Sequence, residues 1–226
     1  MLLSNKILSF LKKLDLQIEL PEEVEIMNPF KDEDIFNLCK KFYKKYYNDN
    51  KSRHIIFGIN PGRFGGGITG IPFTDPVRLQ NICGIENELQ KKQELSSVFI
   101  YEMIDSFGGP EMFYGKYYIS AISPLGFIKN NKNLNYYDDK KLENNIKNFV
   151  IECIKQQLAF GIESEIAFCL GEGKNFVYLS KLNNEMKFFD KIVSLPHPRF
   201  IMQYRLKKKR EYIERYLRAL AVVNDE

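Results

Sequence analysis

The chain has 226 residues, a length typical of one large domain whose single hydrophobic core needs no disulfide or metal for stability. Hydrophobic residues make up 44% and charged residues 27%, which excludes a disordered and a collagen-like chain. The net charge of +4 comes from 33 basic and 29 acidic residues, an excess too small to indicate a polyanionic partner by itself.

The first residues, the lengths of the apolar stretches and the spacing of the cysteines indicate the compartment in which the protein resides. The first 20 residues carry charges among the leucines and lack the apolar stretch of a signal peptide, and no window approaches the length of a membrane span. We therefore expect a cytoplasmic protein. The cysteines are far apart with no CxxC pair, so we predict buried thiols rather than a metal or iron–sulfur site: Cys39, Cys83, Cys153 and Cys169.

Hydrophobic periodicity predicts an α/β fold. Nearly continuous apolar runs, typical of strands covered on both faces, occupy residues 54–59, 117–122, 165–170 and 191–195. Amphipathic helical patterns occupy residues 4–16, 34–47, 138–158 and 206–222. Strands separated by long helices favour right-handed crossovers. The prediction is a three-layer α/β/α sandwich with a central four-stranded parallel sheet, forming one domain over residues 1–226.

Two further segments stand out by composition. The polar stretch 129–141 predicts an exposed loop. Between Arg199 and Arg218 there are eight basic residues and two acidic ones, a net charge of +6, so the rest of the chain sums to −2. A locally basic end of this kind is typical of a surface that binds a polyanion.

The segment after the first predicted strand is rich in glycine, with six glycines in residues 58–70. This density indicates a tight turn or a close approach of a ligand to the backbone. Gly65, Gly67 and Gly70 match GxGxxG, but the match begins well past the strand and is followed by Pro72, so a dinucleotide-binding loop is excluded. An ordinary turn at residues 60–62 remains an alternative explanation.

The segment after the fourth predicted strand presents a histidine. His197 lies between two prolines that restrict its backbone, whereas His54 merely opens a strand and is interpreted as structural. The following apolar residues lie between Arg199 and Arg205, the composition of a wedge that enters a nucleic-acid groove. Two alternatives remain open: a buried histidine that anchors the loop, and a loop that faces the core.

Three motifs together resemble the uracil-DNA glycosylase superfamily, and within it the single-strand-selective monofunctional branch. They are GINPGRFGGGITGIPF at 58–73, the Ser-Pro-Leu of AISPLGF at 121–127, and the HPR beginning at His197. The resemblance implies a four-stranded parallel sheet, hydrolysis of the N-glycosidic bond of a flipped-out base, and release of that base from DNA. It implies no cofactor and no metal.

The resemblance also implies roles for individual residues. Asn60 would hold the attacking water, and His197 would donate a hydrogen bond to O2 of the base. Phe73 would stack on the base, and Gly62 would border its 5-position. The resemblance further places Ile59, Ala121 and Ser123 in the base pocket, and the DNA-binding residues would be Arg199, Phe200, Tyr204, Arg205, Lys207 and Lys208.

Two departures from the family pattern concern base recognition and DNA entry. Ala121 stands where relatives carry an asparagine that reads the uracil edge, and Ser120 or Ser123 could replace it in part. The last motif is HPRF rather than the longer HPSPR. These differences indicate a variant subgroup with an altered base preference.

The leading hypothesis is therefore a monofunctional DNA glycosylase of base excision repair. It would remove uracil or a related damaged base from single- or double-stranded DNA and act as a monomer. One alternative is a nucleic-acid-binding module of the same fold that has lost catalysis. Another is a nucleotide or nucleoside N-glycosidase that uses the same pocket.

Overall fold

Eleven α-helices and seven strands follow one another in the part of the chain that the computed structural model describes, residues 1–222. The strands are β1 Val24–Met27, β2 Arg53–Gly58, β3 Tyr117–Ala121, β4 Gly126–Lys129, β5 Lys132–Leu134, β6 Ile162–Leu170 and β7 Lys191–Leu195. The first six helices are α1 Leu3–Lys12, α2 Glu33–Tyr46, α3 Gly66–Thr69, α4 Pro76–Asn81, α5 Leu95–Phe107 and α6 Pro110–Tyr114. The remaining helices are α7 Lys140–Asn145, α8 Lys147–Leu158, α9 Lys174–Met186, α10 Pro198–Tyr204 and α11 Lys209–Ala221.

The four predicted strands form one parallel sheet with the order β3-β2-β6-β7. The sheet is flanked by helices, so the predicted α/β/α architecture is confirmed. β2 and β3 end side by side, with Gly58 paired with Ala121. The single domain predicted for residues 1–226 remains a prediction, and its last four residues lie outside the described residues.

A second, antiparallel sheet with the order β1-β4-β5 was not predicted from the sequence. It corrects the prediction that residues 129–141 form only an exposed loop, because β4 and β5 make a hairpin and Tyr136 is fully buried. Asn130 and Asn131 form the turn with φ of +50° and +58°, a conformation that asparagine tolerates and that matches strand twist. The strands are too short and polar to show alternating hydrophobicity.

Two long helices, α5 and α9, were not predicted, and four helix-related predictions need correction. The predicted helix 4–16 ends already at Lys12. The predicted helix 138–158 divides into α7 and α8 at Ile146. The predicted helix 206–222 begins with the 3₁₀ turn Leu206–Lys208 before α11. The segment after His197 is the helix α10 rather than a loop, with Pro198 in its first turn, where a missing N–H costs nothing.

The core is filled by the strands and by the inward faces of the helices. All four cysteines are buried free thiols, as predicted, and burial raises the pKa of Cys39 and Cys169 to about 12. None of the helices within residues 1–222 is both long enough and apolar enough to cross a membrane.

Candidate active site

A cavity of about 410 Å³ opens at the carboxyl ends of β2 and β3, the edge at which parallel sheets bind ligands. Its volume falls within the usual range for small-molecule pockets, roughly 300–1,000 Å³. The sequence-predicted residues that line it are Ile59, Asn60, Gly62, Phe73, Ala121, His197, Arg199, Phe200 and Tyr204. Residues from three distant parts of the chain therefore meet in one pocket.

The side-chain amide of Asn60 is held by the backbone of the segment that follows β5. Its Oδ1 accepts a hydrogen bond from the Tyr136 N–H at 3.1 Å, and its Nδ2 donates to the Leu134 carbonyl at 3.2 Å. Because one partner only donates and the other only accepts, the amide has a single favourable orientation. The second lone pair of Oδ1 stays available to accept a hydrogen bond.

The segment that orients Asn60 is itself tied to the central sheet. The Tyr136 hydroxyl donates to Oδ1 of Asn175 at 2.7 Å. Nδ2 of Asn175 in turn lies within hydrogen-bond distance of the carbonyls of Leu170 and Gly58, at 3.1 and 3.4 Å. Two buried side chains, together with backbone carbonyls, thus link the β5 segment with the ends of β2 and β6.

His197 is the residue immediately before α10, and the helix start fixes its tautomer. Nδ1 accepts a hydrogen bond from the Arg199 backbone N–H at 3.1 Å, so the ring proton lies on Nε2. Burial, and to a smaller extent the nearby charge of Arg199, lower the pKa of His197 to about 4. The imidazole is consequently a neutral N–H donor at physiological pH.

Phe73 adopts a backbone conformation that a bulky residue rarely adopts, with φ of +52°. Its ring lies 5.9 Å from the His197 ring, measured between centroids. A backbone held in a sparsely populated region costs about 1–3 kcal/mol and is common at functional sites. The glycine-rich stretch gives no sign of this strain, so sequence reasoning did not detect it.

The second motif supplies an apolar wall without free hydroxyl groups. Ala121 lines the cavity at the end of β3. Ser120 Oγ donates to Oε1 of Gln157 at 2.5 Å, and Ser123 Oγ donates to the Leu125 carbonyl at 2.8 Å. Ser120 lines the cavity, whereas Ser123 is fully buried and does not, and because each hydroxyl already donates its one hydrogen, neither can supply the donor of an asparagine at position 121.

One lining residue that the sequence did not single out is Glu94, which precedes α5. Its carboxylate lies against the glycine-rich segment: a Cβ built on Gly62 would be 3.2 Å from Oε1, and one built on Gly65 would collide with Oε2. The close approach indicated by the glycine density is thus, at Gly65, the approach of a carboxylate from the same chain. No local sequence signal marks this pairing.

Aromatic residues of α10 border the mouth of the cavity. Phe200 and Tyr204 are one helical turn apart, their ring centroids are 5.7 Å apart, and they are 41% and 66% exposed. The Arg205 guanidinium lies 5.4 Å from the Phe200 ring. Exposed aromatic rings beside arginines are suited to contact unstacked bases and phosphates.

The basic residues after α10 lie outside the cavity lining. Arg205, Lys207 and Lys208 are exposed, and Lys208 pairs loosely with Glu211 at 3.6 Å. Other positive charges of the basic segment are neutralised more closely: Lys209 lies 2.6 Å from Glu102, and Arg215 lies 2.5 Å from Glu172. The +6 charge of this segment is therefore partly balanced by other elements.

The family model of the uracil DNA glycosylase superfamily matches residues 44–221. The chain belongs to the uracil DNA glycosylase superfamily. It is also similar to a solved structure, that of wild-type SMUG2 from Pedobacter heparinus, with 50% sequence identity, a TM-score of 0.97 and 100% coverage of both chains. No curated protein matched the chain.

These similarities confirm the predicted family and its SMUG-like branch. This glycosylase is a hydrolase of N-glycosidic bonds that acts on DNA in base excision repair. Of the hypotheses raised by the sequence, the enzyme is therefore supported over a binding module without catalysis. The motif at residues 58–73 lies entirely within the matched region.

Proposed function

We propose that this glycosylase hydrolyses the N-glycosidic bond of uracil, or of a related damaged base, after that base has left the DNA stack and entered the cavity. Asn60 positions the water that attacks C1′ of the sugar. Its Oδ1 has one lone pair free after binding the Tyr136 N–H, and an amide of fixed orientation can hold water without acting as a base.

His197 stabilises the leaving group in this proposal. Cleavage leaves negative charge on the base, and the neutral Nε2–H can donate a hydrogen bond to it. The Arg199 N–H holds Nδ1, so the donor is prepared before the substrate binds. A positioned donor of this type is typically worth about 10²–10³ in rate.

The pocket walls define the class of base. Phe73 offers an aromatic ring for stacking, and Ala121 offers no hydrogen bond. Gly62 carries no side chain at the position that the family resemblance places beside C5 of the base. We expect acceptance of uracil and of uracils with a small substituent at C5.

DNA rather than a free nucleotide is the substrate in this proposal. The exposed pair Phe200 and Tyr204 at the cavity mouth, next to Arg205, provides contacts that a mononucleotide would not use. That the protein acts as a monomer, and in the cytoplasm, remains a prediction.

The observation that carries the proposal is the fixed amide of Asn60 inside the cavity, and Asn60→Ala tests it. With a single-stranded oligonucleotide containing one uracil, base release produces an alkali-labile site. We expect Asn60→Ala to lower the single-turnover rate by ~10²-fold or more while DNA affinity is nearly unchanged.

A matched control is Asn5→Ala, on the exposed face of α1, which should leave the rate unchanged. Full turnover by Asn60→Ala would remove Asn60 from the mechanism. Release of uracil from the free nucleotide dUMP at a rate similar to that from the oligonucleotide would instead support the nucleotide hydrolase.

A further inference from the structure

The Glu94 side chain is a polar group of the cavity that the mechanism above does not use. Its backbone is fixed at the start of α5, because its N–H donates to Oδ2 of the buried Asp75 at 3.0 Å and its carbonyl accepts from Val98. The side chain is directed away from α5 toward the segment after β2. The contacts of Gly62 and Gly65 with its carboxylate establish this direction.

The carboxylate has no hydrogen-bond partner among residues 1–222, and Glu94 is partly exposed, with its side chain lining the cavity. It is also the one carboxylate among the described residues that line the cavity. Because the carboxyl group faces the cavity and no described residue occupies its donor and acceptor atoms, it is available to hydrogen-bond a ligand that enters the cavity.

The charged groups around Glu94 come from five separate parts of the chain. Asp75 before α4 and Arg199 on α10 act on it electrostatically, with opposite effects. A neighbouring groove, which shares Glu94 with the cavity, adds the positive charges of Arg63, Lys92 and Lys132. Burial and, to a lesser extent, the charge of Asp75 raise the pKa of Glu94 and Arg199 opposes them, so that together they bring it to about 7.

The base, in turn, lacks polar side-chain partners on the Ala121 side of the cavity. The imide edge of uracil offers C=O acceptors and an N–H donor, and a base in the pocket needs partners for them. The Ala121 side chain has no polar atom, and the Ser120 and Ser123 hydroxyls donate their hydrogens elsewhere. A carboxylic acid carries one donor and one acceptor side by side, which suits a C=O and N–H pair.

We propose that the Glu94 carboxyl group forms a hydrogen bond to the base held in the cavity and supplies polar recognition that Ala121 cannot provide. This inference rests on the proposed function, since it concerns the same pocket and the same base. Glu94 becomes a base-contacting residue, in addition to Asn60 and His197.

The negative charge that develops on the departing base determines which protonation state of Glu94 is active. As the bond between C1′ and the base nitrogen breaks, its electron pair moves onto the base, and water supplies the hydroxyl that joins C1′. The proton that this water loses passes through solvent to the released base anion, so the products are the free base and an abasic site. A protonated Glu94 donates a hydrogen bond to the negative base and keeps its proton, whereas an ionised carboxylate repels the base. Activity should therefore be highest below pH 7 and fall above it.

Glu94→Gln tests the inference, because glutamine keeps a donor and an acceptor but does not titrate. We expect the single-turnover rate of the wild type on the uracil oligonucleotide to fall by about tenfold per pH unit above pH 7, up to pH 8.5. The Gln variant should be within a few fold of the wild type at pH 6 and remain flat, so that it exceeds the wild type at pH 8.5.

Glu88→Gln provides the matched control, since Glu88 is exposed on the segment before α5 and does not line the cavity. It should retain the wild-type pH profile. Glu94→Ala should be slow at every pH and also flat, and its circular dichroism shows whether it has folded. If Glu94 only supported the glycine-rich segment, the Gln variant would change the rate but its pH profile would keep the bend near pH 7, the point at which the rate begins to fall.

Persistence of that bend in Glu94→Gln, or a flat wild-type profile, would overturn the inference. Failure of the proposed function is distinguishable from this result. In that case the wild type would release no uracil at any pH, or Asn60→Ala would be as active as the wild type.

Discussion

The ring of Phe73 lies directly against the α-carbon of Gly58: a Cβ built on Gly58 would be 2.8 Å from Phe73 Cε2 and 3.0 Å from Cζ. Gly58 is the last residue of β2, so the end of the central strand forms the support for the aromatic wall of the cavity. The positive φ of Phe73 directs its ring onto this surface. The end of β2 and the Phe73 ring are thus held in contact with each other.

Gly58→Ala should displace the Phe73 ring and lower the single-turnover rate on uracil DNA by about tenfold or more, because stacking is typically worth about 1–3 kcal/mol per base. Phe73→Leu should have a similar effect. The double variant should be no slower than the slower single variant, since both changes remove the same contact. Additive losses would show that Gly58 acts independently of Phe73.

The protonation state of His197 can be observed directly, because the chain contains only two histidines. We expect nitrogen-detected NMR to show His197 as the neutral tautomer with its proton on Nε2 throughout pH 5–8, since the Arg199 N–H occupies Nδ1. His197→Asn identifies the signals. A His197 ring that titrates near its ordinary pKa of about 6.5 would contradict this assignment.

The same histidine should make the folded protein sensitive to acid. Its pKa is about 4 in the folded state against 6.5 for the ordinary group, so the unfolded chain binds more protons between these values. The contribution of neutral His197 to the free energy of unfolding is fully present above pH 6.5 and decreases as the pH falls toward 4. Urea unfolding of the wild type and His197→Gln should show a smaller loss of stability in the variant over this interval.

Salt dependence should distinguish free from neutralised positive charges in the basic segment. Arg199, Arg205 and Lys207 have no carboxylate within 4 Å among residues 1–222, whereas Lys209 is paired with Glu102. Each free residue that contacts a phosphate contributes about 0.7–0.9 to the slope of log affinity against log salt. Arg205→Ala with Lys207→Ala should flatten the slope for oligonucleotide binding, and Lys209→Ala should change it little. If Lys209→Ala flattened the slope by as much per residue as the double variant does, pairing with Glu102 would not limit the contact of Lys209 with DNA.

Gly62 should influence which bases are accepted. Its φ is not in the left-handed region, so alanine is compatible with the backbone, but the new Cβ would lie 3.2 Å from Glu94 and 3.3 Å from Asn133. We expect the wild type to release uracil and 5-hydroxymethyluracil at rates within about tenfold of each other. Gly62→Ala should slow 5-hydroxymethyluracil more than uracil. An unchanged ratio of the two rates would mean that Gly62 does not border the base.

Much of the fold could be predicted because its signal is local. Continuous apolar runs predict β2, β3, β6 and β7, and the rule that ligands bind at the carboxyl ends of parallel strands predicts where the cavity opens. The helix α10 was missed although Pro198 after His197 carries a recognisable helix-start signal.

The motifs determined by themselves which residues could carry chemistry, but only the tertiary structure decided how they are held. Asn60 is oriented by Leu134 and Tyr136, from a segment that the sequence presents as a polar loop. Glu94 reaches Gly65 from a stretch without any motif. Hydrophobic periodicity reports which face of an element is buried, since each residue contributes to it locally. A hydrogen bond or a close polar contact between distant segments leaves no periodic trace, because it depends on where the folded backbone brings the two groups together.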